Sequence, residues 1–105
     1  MKVQFVPDGL RIRVTRDEFA RLREGQPLEL DVAGHWRIGV RAAAGPALDV
    51  APGRLDLGLP AADLDDLASR LPAREGIEAT VEAGGRTLRL AFEVDLLDGR
   101  PRRAR

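Results

Sequence analysis

Hydrophobic and polar residues alternate over eight short stretches of the chain, which is the pattern of strands with one buried face. The clearest stretch is 10–14, where Leu10, Ile12 and Val14 alternate with two arginines. The other predicted strands lie at 2–5, 28–32, 35–42, 48–50, 55–59, 77–81 and 88–94. Half-buried alternating strands favour antiparallel pairing, so the pattern predicts a mainly antiparallel arrangement.

Two short helices interrupt the strands. Thr15 and Glu18 have the spacing of a capping box, and Gly25 supplies a stop, so the first helix is predicted to span about 10 residues. Pro60 suits the first turn of a second helix at about 61–71, which is acidic near its start. Both helices carry a narrow apolar stripe that must pack on the strands.

The order strand-strand-helix-strand-strand occurs twice, and the two copies are related by an offset of 45 residues. In the second copy, Leu48, Val50, Pro52, Leu55, Leu57, Leu59, Asp63, Leu64 and Leu67 match Val3, Phe5, Pro7, Leu10, Ile12, Val14, Glu18, Phe19 and Leu22. After the second helix the offset becomes 49, because the exit loop is four residues longer. We therefore predict an internal duplication with a pseudo-twofold axis.

The predicted fold class is α+β: a mainly antiparallel sheet or partly closed β-barrel of about eight strands with two short helices, built from two ββαββ halves. Residues 1–98 are expected to form a single domain, with pseudo-repeats 1–45 and 46–98. Residues 99–105, which include four arginines, are expected to form a disordered basic tail.

The residues from Leu10 to Glu29, with Met1-Lys2 before them and Leu88-Arg89-Leu90 and Glu93-Val94-Asp95 at the end, resemble an uncharacterised family of small bacterial proteins. That family has no assigned activity, so the resemblance implies only a complete single domain.

Residues 11–40 are also similar to the swapped-hairpin barrels of AbrB- and MazE-type transcription factors, which read strand, capped helix, glycine and hairpin. This second resemblance implies a DNA-binding barrel, here with both copies in one chain. Where that family usually has proline, Thr15 stands in the first copy and Pro60 in the second.

The composition limits the chemistry that the chain can perform. There is no cysteine and no tyrosine, and His35 is the only histidine, so the sequence offers no thiolate and no orienting partner for a histidine base. We expect no enzymatic activity, no catalytic residue, no cofactor and no metal site. No apolar run is long enough to span a membrane and no signal peptide opens the chain, so a cytoplasmic location without membrane attachment is expected.

Five arginines form the candidate site, because all fall on the polar side of alternating strands: Arg11, Arg13, Arg37, Arg41 and Arg89. If their strands are neighbours, they make a face that could bind an anion or a partner. The alternative is a solvated face crossed by the acidic residues Glu29, Asp31, Glu78 and Glu82. Trp36 lies in an alternating apolar strand and is predicted to pack in the core.

The leading hypothesis is a small non-enzymatic domain that binds a protein partner or itself as a homo-oligomer. The alternative is a nucleic-acid-binding regulator of the swapped-hairpin-barrel type, which would use the outward arginines and the tail. Total charge is zero, and residues 1–98 hold 13 basic and 17 acidic side chains, a net charge of −4. Such a charge gives no general attraction to nucleic acid, which favours the leading hypothesis.

Overall fold

The computed structural model describes residues 1–95, which form eight strands and two helices. The predicted α+β class and the predicted number of elements are confirmed. The elements are β1 (Lys2–Val6), β2 (Gly9–Val14), α1 (Arg16–Arg23), β3 (Leu28–Val32), β4 (Trp36–Ala43), β5 (Ala47–Ala51), β6 (Arg54–Pro60), α2 (Ala61–Arg70), β7 (Ile77–Ala83) and β8 (Arg86–Val94). The predicted tail at 99–105 and the domain boundary at 98 lie outside the described residues.

The strands form two four-stranded sheets. The first sheet has the order β1-β2-β8-β7 and the second has the order β3-β4-β6-β5. In each sheet two antiparallel hairpins meet through a parallel central pair, β2 with β8 and β4 with β6.

The prediction of a single sheet or a partly closed barrel is wrong, because the strands form two sheets that are not closed into a barrel. Four of the six strand pairings in residues 1–95 are antiparallel, as the predicted majority requires, but each sheet also contains a parallel pair. Alternation reports that one face of a strand is buried, and this holds equally for the strands of the parallel central pairs.

Each half of the chain contributes one hairpin to each sheet. In the first half Phe5 stands opposite Leu10, and in the second half Val50 stands opposite Leu55, 45 residues later in both strands. Each parallel pair begins with a similar hydrogen bond, since the Arg89 amide donates to the Asp8 carbonyl and the Arg37 amide to the Gly53 carbonyl, each at 2.8 Å. The two acceptors are 45 residues apart, but the two donors are not. The offset of 45 found in the sequence thus relates the pairing partners within the β1–β2 and β5–β6 hairpins, but not both partners of the parallel pairs.

The core lies between the sheets and beneath the helices. Leu10, Ile12 and Val14 are buried as predicted, and the ring of Phe92 on β8 lies 6.2 Å from the ring of Phe19 on α1, measured between centroids. Phe19 and Leu64, the matched positions on the two helices, are both buried, as predicted. Each helix is therefore held by the apolar residues that it places against the strands.

The predicted capping box at the start of α1 is confirmed. The Glu18 amide donates to the Thr15 hydroxyl at 3.1 Å, and the Thr15 amide donates to the Glu18 carboxylate at 2.9 Å. The N-terminal ammonium of Met1 also lies 2.8 Å from Glu18, a contact that the local pattern did not predict. None of the helices in residues 1–95 is long and apolar enough to cross a membrane.

Candidate functional site

The five candidate arginines lie on two different surfaces. Arg11 and Arg13 on β2 and Arg89 on β8 project from the outer face of the first sheet, and Arg37 and Arg41 on β4 project from the outer face of the second. All five are exposed. The structure thus brings three of the predicted residues together and leaves the other two on a separate face.

Carboxylates neighbour most of these arginines. On the first sheet, Arg11 donates to Glu93 at 2.8 Å, Arg13 lies 3.8 Å from the same carboxylate, and Arg89 lies 3.8 Å from Asp8. The hydrogen bond from Arg11 to Glu93 and the charge of Glu93 raise the pKa of the Arg11 guanidinium. On the second sheet Arg41 lies 3.6 Å from Asp49. Exposed pairs of this kind contribute little to stability, because solvent screens the charges.

An open groove of about 750 Å³ crosses the outer face of the first sheet. Basic side chains (Arg11, Arg74, Arg89) and acidic ones (Glu75, Glu78, Glu93) line it together. Within residues 1–95 no charged side chain is buried, and no group of three or more potential ligands could hold a metal ion. The groove is therefore a solvated surface of mixed charge.

A second feature consists of apolar side chains that the core does not cover. Phe5 is 64% exposed, Val32 44%, Trp36 54% and Val50 63%. All four stand on the side of their strands that faces the core. Phe5 is opposite a buried residue, Trp36 and Val50 lie two residues from buried ones, and Val32 is directly opposite Trp36. The prediction that Trp36 packs in the core is therefore wrong, although the predicted side of the strand is right.

Val32, Trp36 and Val50 lie at the same end of the second sheet, beside its two hairpin turns, and we call them the hairpin-end surface. Val32 and Val50 stand on the two opposite edge strands. Val32 is directly opposite Trp36 across the β3–β4 hairpin. Val50 is opposite Leu55, which is itself opposite Ile38, two residues along from Trp36. Phe5 holds the matching position on the first sheet, beside the β1–β2 turn.

The course of the chain explains why the core stops short of these residues. Helix α1 joins the end of β2 to the start of β3, and α2 joins the end of β6 to the start of β7, so both helices lie at the strand ends away from the hairpin turns. They bury Val14, Leu28 and Leu59 at that end. Nothing in residues 1–95 covers the opposite ends to the same degree, and the sheets stay open there.

The two sides of the molecule also differ. Edge strand β5 of the second sheet packs against edge strand β7 of the first, while β1 and β3 make no comparable contact. Within residues 1–95, one side between the sheets is thus joined and the other is open. The sequence did not predict that the core leaves these hairpin ends uncovered. Alternation identifies which side of a strand is buried, but it does not show how far along the strand the opposite sheet extends.

The sequence matches no protein-family model and no curated protein.

Proposed function

We propose that this chain is a small non-enzymatic cytoplasmic domain that works by binding protein, either a partner or a second copy of itself, through the hairpin-end surface. The observation that carries the proposal is the exposure of Trp36 and Val32, an aromatic and a β-branched side chain directly opposite each other on the core-facing side of a sheet. Clustered exposed apolar side chains of this kind mark interaction sites.

The composition of the surface suits a binding anchor. A tryptophan buries roughly 150–250 Å² when covered and is enriched among the residues that dominate binding energies. Trp36 lies in a regular hairpin, so little conformational freedom is lost when a partner covers it.

The alternative, nucleic-acid binding, has less support. A phosphate backbone is bound by cations that form a continuous track, and here the five arginines are divided between two faces, with carboxylates within 4 Å of four of them. The arginines between 100 and 105 are the densest group of cations in the sequence and would contribute to such binding. Tight, salt-sensitive duplex binding by residues 1–98 alone would favour it over protein binding.

We also propose that the two ββαββ halves are structural repeats related by a pseudo-twofold axis. The matched registers of the hairpins and the burial of both Phe19 and Leu64 support this. Superposition of 9–23 on 54–68 tests it: helices that diverge when β2 and β6 are overlaid would contradict a duplication.

Trp36 is the only tryptophan, so a chain made with 5-fluorotryptophan has a single fluorine resonance that reports on the hairpin-end surface. We expect this resonance to shift or broaden with protein concentration, or on addition of extract from the source cell. Val32→Ser should suppress the change, because it removes the neighbour directly opposite Trp36.

The matched control is Ala62→Ser, an apolar-to-serine change at an exposed position on α2, which should leave the change intact. A resonance that stays sharp and unshifted in concentrated protein and in extract would contradict the proposed function.

A further inference from the structure

Four strands form the edges of the two sheets, and only two of them are packed against each other. The first sheet ends in β1 and β7, and the second ends in β3 and β5. Since β5 packs against β7, the open edges in residues 1–95 are β1 and β3. An open edge presents unpaired backbone donors and acceptors, which can pair with a strand from another chain.

The two open edges are complementary in charge. The exposed residues on the outer face of β1 include Lys2, which stands opposite Arg13 of β2. The exposed residues on the outer face of β3 are Glu29 and Asp31. One edge of this chain is therefore basic where the other is acidic.

The core-facing sides of the same two strands are apolar. Strand β1 carries Val3 and the exposed Phe5, and β3 carries Leu30 and the exposed Val32, next to Trp36. A strand laid along either edge would cover apolar side chains on one face and meet charged side chains on the other. Strands β1 and β3 each have one apolar face and one charged face, so each of them fits the open edge that the other forms.

We propose that the occupant of each open edge is a second copy of this chain, with β1 of one protomer paired to β3 of its partner. A twofold axis forms both contacts at once, because a symmetric interface places the same two strands on each side. The proposal rests on the proposed function and specifies it: the partner is the chain itself, and Phe5 of one protomer comes to lie beside Val32 and Trp36 of the other.

A charge-swap experiment tests this pairing. Lys2→Glu places acid against acid in both contacts of a dimer, and Glu29→Lys with Asp31→Lys places base against base, so each variant alone should dissociate at least tenfold more readily than the parent chain. Mixing the two variants restores opposite charges in both contacts, and dimers should return at 1:1 stoichiometry by sedimentation. High salt should reduce both the loss of dimer in each single variant and the return of dimer in the mixture.

The matched control for the acidic edge is Glu78→Lys. Glu78 holds on β7 the position that Glu29 holds on β3, at the offset of 49, but β7 is covered by β5. This variant should dimerise like the parent chain and should not rescue Lys2→Glu.

Cysteine cross-linking locates the contact independently, because the chain has no cysteine of its own. Protein carrying Gln4→Cys on β1 should form disulfides with protein carrying Glu29→Cys or Asp31→Cys at least tenfold faster than protein carrying Asp49→Cys does. Asp49 holds the position of Gln4 on the covered strand β5, 45 residues later.

Association without preferential cross-linking and without charge rescue would overturn the edge pairing while leaving the proposed function in place. A chain that stays monomeric at every accessible concentration would overturn the edge pairing as well. In that case the fluorine resonance of Trp36 in extract decides separately whether another protein is the partner.

Discussion

Phe5 and Val50 occupy the same position in two hairpins that lie 45 residues apart. Phe5 is opposite Leu10 in the first sheet, Val50 is opposite Leu55 in the second, and the two side chains are exposed almost equally, 64% and 63%. Each is the last core-facing residue before its turn. Their equal exposure indicates that both hairpins extend beyond the core, so the apolar surface at their ends follows from the architecture.

Replacing Trp36 should separate binding from stability. Trp36→Ser removes a side chain that is more than half exposed, so the free energy of unfolding should change by no more than about 0.5–1 kcal/mol. Phe92→Ala, at a fully buried site, should cost about 3–5 kcal/mol. Urea denaturation measures both. If Trp36→Ser lowers the free energy of unfolding as much as Phe92→Ala does, the tryptophan is a structural residue.

The two helices should depend equally on their first apolar residue. Phe19→Ala and Leu64→Ala each empty a buried site and should each cost about 2–5 kcal/mol, a large share of the roughly 5–15 kcal/mol that holds a domain together. Thermal and urea unfolding give the values, with the exposed Phe5→Ala as the control. If only one of the two substitutions is costly, the halves are not energetically equivalent.

Thr15→Ala should destabilise the fold by roughly 1 kcal/mol, because it removes the oxygen that accepts from the Glu18 amide. The change should appear as a lower urea midpoint at constant slope. Ala61→Ser on α2 is the comparison variant. Helix α2 begins after Pro60 without a side-chain cap, so this substitution removes no capping hydrogen bond. An unaltered midpoint for Thr15→Ala would mean that the capping box contributes nothing measurable.

Stability should fall in acid partly through Glu18. Partial burial acts to raise the pKa of Glu18, but hydrogen bonds from the N-terminal ammonium and from Thr15 outweigh it, and the pKa is lowered below its ordinary value. A carboxylate with a lowered folded-state pKa stabilises the fold above its unfolded pKa of about 4.3, and this contribution disappears as the pH falls through the lower folded value. Glu18→Gln should make the free energy of unfolding depend less on pH in that range, whereas Glu24→Gln, at an exposed position, should not.

Gly9 should tolerate no side chain. A Cβ built on Gly9 would lie 1.8 Å from the Arg89 carbonyl oxygen, where β2 meets β8. Gly9→Ala should therefore force these strands apart and cost at least about 1–3 kcal/mol. Gly45→Ala is the control, because nothing lies within 4 Å of its added Cβ. Equal unfolding midpoints for the two variants would contradict the close approach of β2 and β8.

The sequence alone determined the local features of this protein. Alternation identified which side of each strand is apolar, the Thr15 and Glu18 spacing identified the start of α1, and the offset of 45 identified matching elements. These features depend on neighbours within a few residues, so they can be recognised without knowing the fold. The same reasoning placed all five arginines on polar faces.

Only the tertiary structure decided how the elements combine. Distribution of the hairpins between two sheets made the central pairs parallel and put Arg37 and Arg41 on a different face from Arg11. Trp36 is exposed because the helices cover the far ends of the strands, a relationship between segments that no local pattern contains. Burial of a residue depends on what the rest of the chain places opposite it, and pairing direction depends on where the connections run.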